Sequence, residues 1–293
     1  RAMTDKDIVF LSADFGAPAL DKFIAELPDQ FFHLGISEQN MIDVAIGLAL
    51  RGKKVFAYAM APFVVMRCAE QHKLAAIMNL PITTIVAGVG IGYANAGPTH
   101  YSTEDLGVAM GLIGSTIYTI SDSAMATACA NHLVQNPAFA FVRLDRMPCQ
   151  DLDEQRSLDF ELGFRTFFSG QKLAVISHGY MLSKILSIVS GDRELEASIG
   201  VIDLFRSKPT NEAMLEILSN YKNILIVDEQ VEQSSLGTFM LPKLLQLDAF
   251  DKVKSISLSE QFMFGNAGRE ALIEEAGLST SSILGHIKAM LGE

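Results

Sequence analysis

Short β-branched or apolar runs alternate along the chain with longer stretches in which apolar residues recur at helical spacing. The strand-like runs in the first half are Ile8–Ala13, Lys54–Tyr58, Ile82–Ala87, Thr116–Ile120 and Ala138–Val142, with helical patterns between them. This alternation predicts a mostly parallel sheet covered by helices. Between Arg146 and Phe160 the rhythm lapses into a charged stretch with Asp151, Asp153, Glu154, Arg156 and Asp159, the composition of a domain linker. It resumes with strands at Leu173–Ser177, Ser198–Asp203, Asn223–Asp228 and Val253–Ser257, and with helices after Tyr180, Thr210, Ser235 and Ala267. Pro209 at a helix start and Gly237 before an apolar segment support those boundaries. The expectation is an α/β protein of two domains, 1–150 and 169–293, joined by a linker over 151–168.

A chain of 293 residues is long enough for two such domains, each with its own core. The formal net charge is −11, with acidic residues spread along the sequence, which argues against a nucleic-acid or anionic-membrane surface. A small-molecule enzyme, or a subunit of one, fits better. Cys68, Cys129 and Cys149 are odd in number and form no C-x-x-C pair, so neither a disulfide framework nor a zinc site is indicated, and the expected compartment is the reducing cytoplasm. The longest apolar run, Val55 to Met66, is interrupted by Pro62 and falls short of the roughly 20 residues a membrane helix needs. No leader pattern opens the chain, so export is not expected.

Candidate chemistry sits at helix starts and in one glycine-rich loop. The segment His33-Leu34-Gly35-Ile36-Ser37-Glu38-Gln39-Asn40 leads into a run from Met41 to Leu50 that is apolar on nearly every face, which predicts a helix buried all round. Glu38 at its start feels opposed influences: the helix N-terminus favours its charge, while burial without a partner disfavours it. Farther on, Gly88-Val89-Gly90-Ile91-Gly92-Tyr93-Ala94-Asn95-Ala96-Gly97-Pro98-Thr99-His100 follows a strand. Its glycines do not have dinucleotide-binding spacing, and no P-loop occurs.

Gly35-Ile36-Ser37-Glu38-Gln39 resembles the G-[IVA]-x-E-[QH] segment of the transketolase family. Met60 to Gln71 is similar to that family's S-F-x-x-x-R-A-x-[DE]-Q stretch, and Gly97-Pro98-Thr99-His100 to its G-x-T-H. Two weaker matches are Leu11-Ser12-Ala13-Asp14 and Val142-Arg143-Leu144-Asp145-Arg146. The resemblance covers essentially the whole chain and implies a pyrimidine-binding domain followed by the family's C-terminal domain. It implies thiamine diphosphate as cofactor, with Glu38 bonded to N1′ of the aminopyrimidine. A carboxylic acid there favours the tautomer whose neighbouring nitrogen takes the proton from thiazolium C2. It also implies that Phe63 stacks on that ring, that Arg67 and Asp14 belong to the cofactor site, that His100 faces the substrate, and that Arg146 offers a planar fork to a substrate phosphate.

Full-length family members hold the diphosphate through Mg²⁺ in a preceding domain with a G-D-G motif. No G-D-G occurs here; Gly191-Asp192 is followed by Arg193. The resemblance therefore implies the B subunit of a split transketolase, partnered by an A subunit carrying Mg²⁺ and diphosphate, in an A2B2 assembly, with no metal site of its own. Its reaction would be transfer of a two-carbon ketol unit from a ketose to an aldose. Alternatives are a subunit like deoxyxylulose-phosphate synthase or the β chain of 2-oxo-acid dehydrogenases, and a non-catalytic subunit kept for assembly. Ala96, Gly88 and Pro18 stand where the family has an acidic residue, a histidine and a phosphate-holding serine. These departures point to an unusual sugar that is non-phosphorylated, branched or carried on a bulky group.

Overall fold

The computed structural model describes residues 1–14, 18–147, 149, 152, 158–247, 252–265 and 267–292. Its first half runs β1 (Ile8–Ser12), α1 (Asp21–Glu26), β2 (Phe31–His33), α2 (Glu38–Leu50), β3 (Lys54–Met60), α3 (Ala61–Met66), α4 (Ala69–Ile77), β4 (Ile82–Ala87), α5 (Asp105–Gly111), β5 (Thr116–Thr119), α6 (Ser123–Gln135) and β6 (Ala140–Leu144). The second half runs β7 (Arg165–Ser169), β8 (Leu173–Ser177), α7 (Gly179–Val189), α8 (Arg193–Ser198), β9 (Ile199–Asp203), β10 (Arg206–Lys208), α9 (Glu212–Leu218), β11 (Asn223–Val231), α10 (Leu236–Leu245), β12 (Lys252–Leu258), α11 (Arg269–Glu275) and α12 (Thr280–Leu291). Two mostly parallel sheets result, in the orders β10-β5-β6-β4-β3-β1-β2 and β12-β11-β8-β9-β7.

Strand alternation sends side chains to two cores in the first half. Val9, Leu11, Val55 and Ala57 join Met41, Ile42 and Val64 on one face; Ile8 and Phe56 join Met125, Cys129 and Phe205 in the other cluster, as a sheet covered on both sides requires. Helix starts follow local chemistry. Asp122 caps α6 by accepting from the Met125 N–H at 2.6 Å, and Pro62 lies in the first turn of α3, where its missing donor costs nothing.

Three strands escape the sequence pattern. β2 and β10 have three residues each, too few for a period to show, and around β10 the sequence offers only the helix-start signal of Pro209. Instead β10 leaves the second half of the chain and pairs antiparallel with β5 at the edge of the first sheet. Lys208 Nζ there donates to the carbonyl of Met110 at 2.8 Å and to that of Leu112, at the end of α5. The third, β7, pairs antiparallel with β9, so the second sheet starts at Arg165, inside the stretch expected to be linker. The linker's charged residues Asp151, Asp153, Glu154 and Arg156 lie outside the described residues.

One expectation is overturned. Helix α2 buries only Glu38, Met41, Ile42, Ala45 and Ala49, while Asp43 and Gly47 are exposed and Leu50 is 56 % exposed. One face packs on the sheet and α4; the other stays exposed among the described residues. Among the described residues no helix is long and apolar enough to cross a membrane.

Buried ion pairs join the two halves. Arg165 of β7 donates to Asp122 at 2.7 Å and to Asp203 at 3.0 Å, and Asp203 also accepts from Ser121 Oγ at 2.9 Å. Within the first half, Arg143 of β6 is bidentate on Asp105, at 2.6 and 3.2 Å, and donates to Thr119. Removing one partner of such a pair strands a charge out of water and costs about 3–5 kcal/mol.

Burial has a titratable consequence at His72 of α4. Its Nε2 donates to the Val64 carbonyl of α3 at 3.0 Å and its ring meets Phe141 edge-on at 4.8 Å. Burial pushes its pKa down to about 4 from an ordinary 6.5. The unfolded chain takes up a proton near pH 6.5 and the folded one does not until about pH 4. The contribution is therefore fully present above pH 6.5 and is lost as pH falls towards 4, on the order of 3 kcal/mol in all. Urea unfolding at pH 7.5 and 4.5 checks this: the wild-type loss across that interval should exceed that of His72→Leu, and equal losses in both contradict it.

Candidate active site

The turn from β2 into α2 places Glu38. Leu34 extends the β2 pairing through its N–H to the Ser12 carbonyl at 2.8 Å. Gly35 then takes φ +72°, a left-handed conformation that costs a glycine little. Ser37 Oγ donates back to the Leu34 carbonyl at 2.9 Å and leaves the helix N-terminus without a side-chain cap. Glu38, the first residue of α2, is 2 % exposed. Its Oε2 accepts from Arg67 Nη1 at 2.6 Å, and its Oε1 carries no hydrogen bond among the described residues. That oxygen is not among the buried atoms left without a partner; it is open to solvent and so to an incoming donor.

Arg67 follows α3, and its guanidinium lies 4.9 Å from the Phe63 ring centroid. Phe63 is half-buried. The His100 ring stands edge-on to Phe63, with centroids 5.5 Å apart. His100 is presented by a turn in which its N–H donates to the Gly97 carbonyl at 2.9 Å, and Thr99 Oγ1 lies 2.9 Å from its Nδ1. Glu38, Arg67, Phe63 and His100 thus form one chain of contacts. Cys68 beside them is pushed up to about 12 by burial, with the Glu38 charge adding to the effect, so it remains a thiol.

A second group gathers at the carboxyl ends of β1, β3, β4 and β6, strands adjacent in the sheet and the usual place for ligands in open α/β sheets. The Asp14 carbonyl lies 3.0 Å from His33 Nε2. The Tyr58 phenol is pushed up to about 12 by burial, reinforced by the Asp14 carboxylate. Tyr93 is raised by burial and by Asp14, with Arg146 acting against both; the Arg146 guanidinium lies 4.8 Å from the Tyr93 ring centroid. The structure therefore brings Asp14 and Arg146 together around Tyr93, apart from the Glu38 group but joined to it by the loop that carries both Tyr93 and His100. Tyr58 and Tyr93 were not singled out in the sequence; their signals were a tyrosine near a strand end and the one aromatic in the glycine-rich loop.

Gly88 explains the loop's shape. Its φ is +79° and a Cβ there would lie 1.9 Å from Tyr93 Cε2, so the Tyr93 ring fills the space that a side chain at 88 would need. The loss of a larger residue at 88 does not widen the site.

Residues 2–150 match the transketolase pyrimidine-binding domain family and residues 167–283 the transketolase C-terminal domain family. The chain belongs to the transketolase family. It is 32% identical over 248 residues to the B subunit of the apulose-4-phosphate transketolase of Phocaeicola vulgatus, covering 83% of this chain and 79% of that one. It is 29% identical over 216 residues to the 6-deoxy-6-sulfo-D-fructose transketolase subunit SqwH of a Clostridium species, covering 72% and 66%. Its fold is that of a split-gene transketolase solved as an inactive β4 tetramer, with TM-score 0.83, 22% identity and coverage of 99% and 94%. It also superposes on Campylobacter jejuni transketolase with TM-score 0.80 and 18% identity, covering 98% of this chain and 44% of that one. Among the described residues of this transketolase-family chain, no group of three or more His, Cys, Asp or Glu is arranged to hold a metal ion.

The Glu38–Arg67 pair is testable without any ligand. Arg67→Met leaves a buried carboxylate short of its donor and should cost about 1–3 kcal/mol, whereas the same change in a Glu38→Gln background should cost much less. Denaturant unfolding of the four proteins gives the coupling, and simple additivity contradicts the pairing.

Proposed function

We propose that this chain is the B subunit of a split, thiamine-diphosphate-dependent transketolase that transfers a two-carbon ketol unit from a ketose to an aldose. The observation that carries the reading is Glu38, a carboxylate 2 % exposed with one oxygen unengaged, linked through Arg67 to the half-buried Phe63 ring. An acid and an aromatic ring gathered at one site fit an aminopyrimidine. When bound, thiamine diphosphate supplies the thiazolium that stabilises the developing carbanion. Glu38 holds a proton at N1′, Phe63 orients the ring by its face, and Arg67 moves off Oε2 or shares it. His100, at the Phe63 edge, hydrogen-bonds substrate hydroxyls and moves protons. Asp14 and Arg146 lie towards the far end of the sugar. A deoxyxylulose-phosphate-synthase-like or 2-oxo-acid-dehydrogenase-like chain would use the same Glu38, and an assembly-only chain would not need its burial.

Mg²⁺ and the diphosphate belong to an A subunit in this reading, with two copies of each chain in the assembly. Two observations support a partner. The named relatives are themselves subunits of transketolases. Helices α2 and α4 pack together and leave Leu50, Leu74, Ile77 and Met78 exposed, an apolar surface suited to a partner. Free Cys68, Cys129 and Cys149 are in keeping with the cytoplasm.

The substrate end favours an unusual sugar. Arg146 is the cation at Tyr93, and its guanidinium is stacked on the ring; several charge-assisted bonds, each about 1.5–3 kcal/mol, normally act together on a phosphate. The relatives' names likewise specify modified sugars, apulose 4-phosphate and a sulfo-deoxyfructose.

The chain alone should show no ketol transfer and no tight Mg²⁺-dependent binding of thiamine diphosphate, and the A subunit should restore both. Calorimetry with the isolated chain checks this, and tight Mg²⁺-dependent binding by it overturns the split reading. With the reconstituted complex, specificity constants for xylulose 5-phosphate plus ribose 5-phosphate should fall well below those for branched or otherwise modified sugars. The reverse ranking overturns the substrate reading and leaves the rest standing.

A further inference from the structure

The loop that carries Tyr93 and His100 is closed at its neck by a two-bond bridge: Gly90 N–H to the Ser102 carbonyl at 2.9 Å, and Ser102 N–H to the Gly90 carbonyl at 2.8 Å. That neck rests on the carboxyl end of β11, in the second half of the chain. Gln230 Nε2 donates to the Ser102 carbonyl at 3.0 Å, Val231 N–H donates to the Thr103 carbonyl at 3.0 Å, and the Ile91 backbone works against the burial that raises the Glu229 pKa. Gly90 has φ +61°, and a Cβ on it would lie 2.5 Å from Glu229 Oε2, so backbone and carboxylate are in direct contact. Ile91, Ala94 and Tyr101 of the loop are buried in the second domain's own core, with Leu173, Met181 and Leu225.

Arg269, at the start of α11, extends this contact to the other end of the site. Its Nε donates to Glu229 Oε1 at 2.9 Å and its Nη2 to Oε2. Its Nη1 donates to Asp145 Oδ2 at 2.6 Å, and Asp145 directly precedes Arg146. The guanidinium lies 3.6 Å from the Tyr180 ring centroid. Burial works against the Arg269 charge, but the two carboxylates override it and push its pKa up. The cavity left between these groups is only about 20 Å³, room for about one water. A buried cation between two carboxylates is seldom the most stable filling of such a space, since apolar residues of similar volume often do as well. What it provides is fixed geometry across three segments.

We propose that the second domain acts as the platform of the active site, with Glu229 and Arg269 as positioning residues that hold the His100 loop and the Arg146 strand end at a fixed separation. The proposal rests on the reading of His100 and Arg146 as substrate-facing groups. Glu229 anchors the loop at Gly90 and Ile91, Arg269 locks Glu229, and the same Arg269 fixes Asp145 and so the residue beside it. Neither residue reaches the Glu38–Phe63–Arg67 group, so cofactor binding should not depend on them.

Hydrogen exchange read by mass spectrometry on the isolated full-length chain tests this without any activity. Glu229→Gln, which keeps the side chain's shape, and Arg269→Met should speed exchange about tenfold or more over residues 88–103 and 143–147. Helix α12 should be unchanged, and Arg269→Lys should keep most of the protection. In the complex with the A subunit, the KM for sugar should rise about tenfold in Arg269→Met and recover in Arg269→Lys, with thiamine diphosphate affinity unaltered. Unchanged loop exchange in folded Glu229→Gln overturns the proposal, as does acceleration spread equally over α12, or a faster loop with sugar KM unmoved. Should Arg269→Met fail to fold, Glu229→Gln decides. A wild-type complex with no ketol transfer refutes the functional reading instead, and the exchange result then stands on its own.

Discussion

Glu38 is a carboxylate taken out of water at the first turn of a helix, and a buried charge costs several kcal/mol unless something pairs with it. Much of the first domain is arranged around that constraint. The left-handed turn at Gly35 brings α2 in at the angle that buries Glu38, and α3, started by Pro62, ends where Arg67 can reach Oε2 at 2.6 Å. The helix dipole contributes as well, because Ser37 directs its hydroxyl to Leu34 and leaves the α2 terminus to the carboxylate. Arg67 remains largely in solvent, with a side chain 45% exposed, so the pair is held firmly on one side and loosely on the other. That asymmetry suits an acid that must exchange one partner for another.

Buried guanidinium groups do comparable work between the domains. Arg165 reaches Asp122 and Arg269 reaches Asp145 from the second half of the chain, and β10 crosses over to complete the first sheet. Two domains joined by a crossed-over strand and by buried ion pairs move as one body more readily than as two, which gives the second domain a task although it contributes no side chain to the Glu38 group. The loop bearing His100 illustrates this: its catalytic candidate points towards Phe63 while its apolar residues belong to the core of the other domain.

The strand-helix rhythm was legible because long buried strands such as Ile82–Ala87 and Leu173–Ser177 are continuous apolar runs. The short edge strands were not legible, since Arg206-Ser207-Lys208 is stabilised by pairing with β5 and by carbonyls at the end of α5, partners that no local window contains. Glu38, Phe63, Arg67 and His100 could be named from the resemblance to the transketolase motifs, and the structure joins them in one chain of contacts. Asp14 and Arg146 could be named too, but not that Tyr93 would sit between them, because that follows from the space above Gly88. Helix α2 read as buried on all sides since its outer face is nearly as apolar as its inner one; composition cannot separate a face covered by the same chain from one left open. Asp145, Glu229 and Arg269 look like ordinary surface charges in sequence and become connected only when both sheets are folded.

We propose Glu38 as the acid that activates the cofactor, in a site completed by a second chain. Proton–deuterium exchange at the thiazolium C2 of thiamine diphosphate, followed by NMR in the complex reconstituted with the A subunit, measures that step directly. Glu38→Gln keeps the side chain's shape but cannot serve as the same acid-base partner, so the complex should fold and assemble while its exchange rate falls by orders of magnitude. An exchange rate equal to that of the wild type would contradict it.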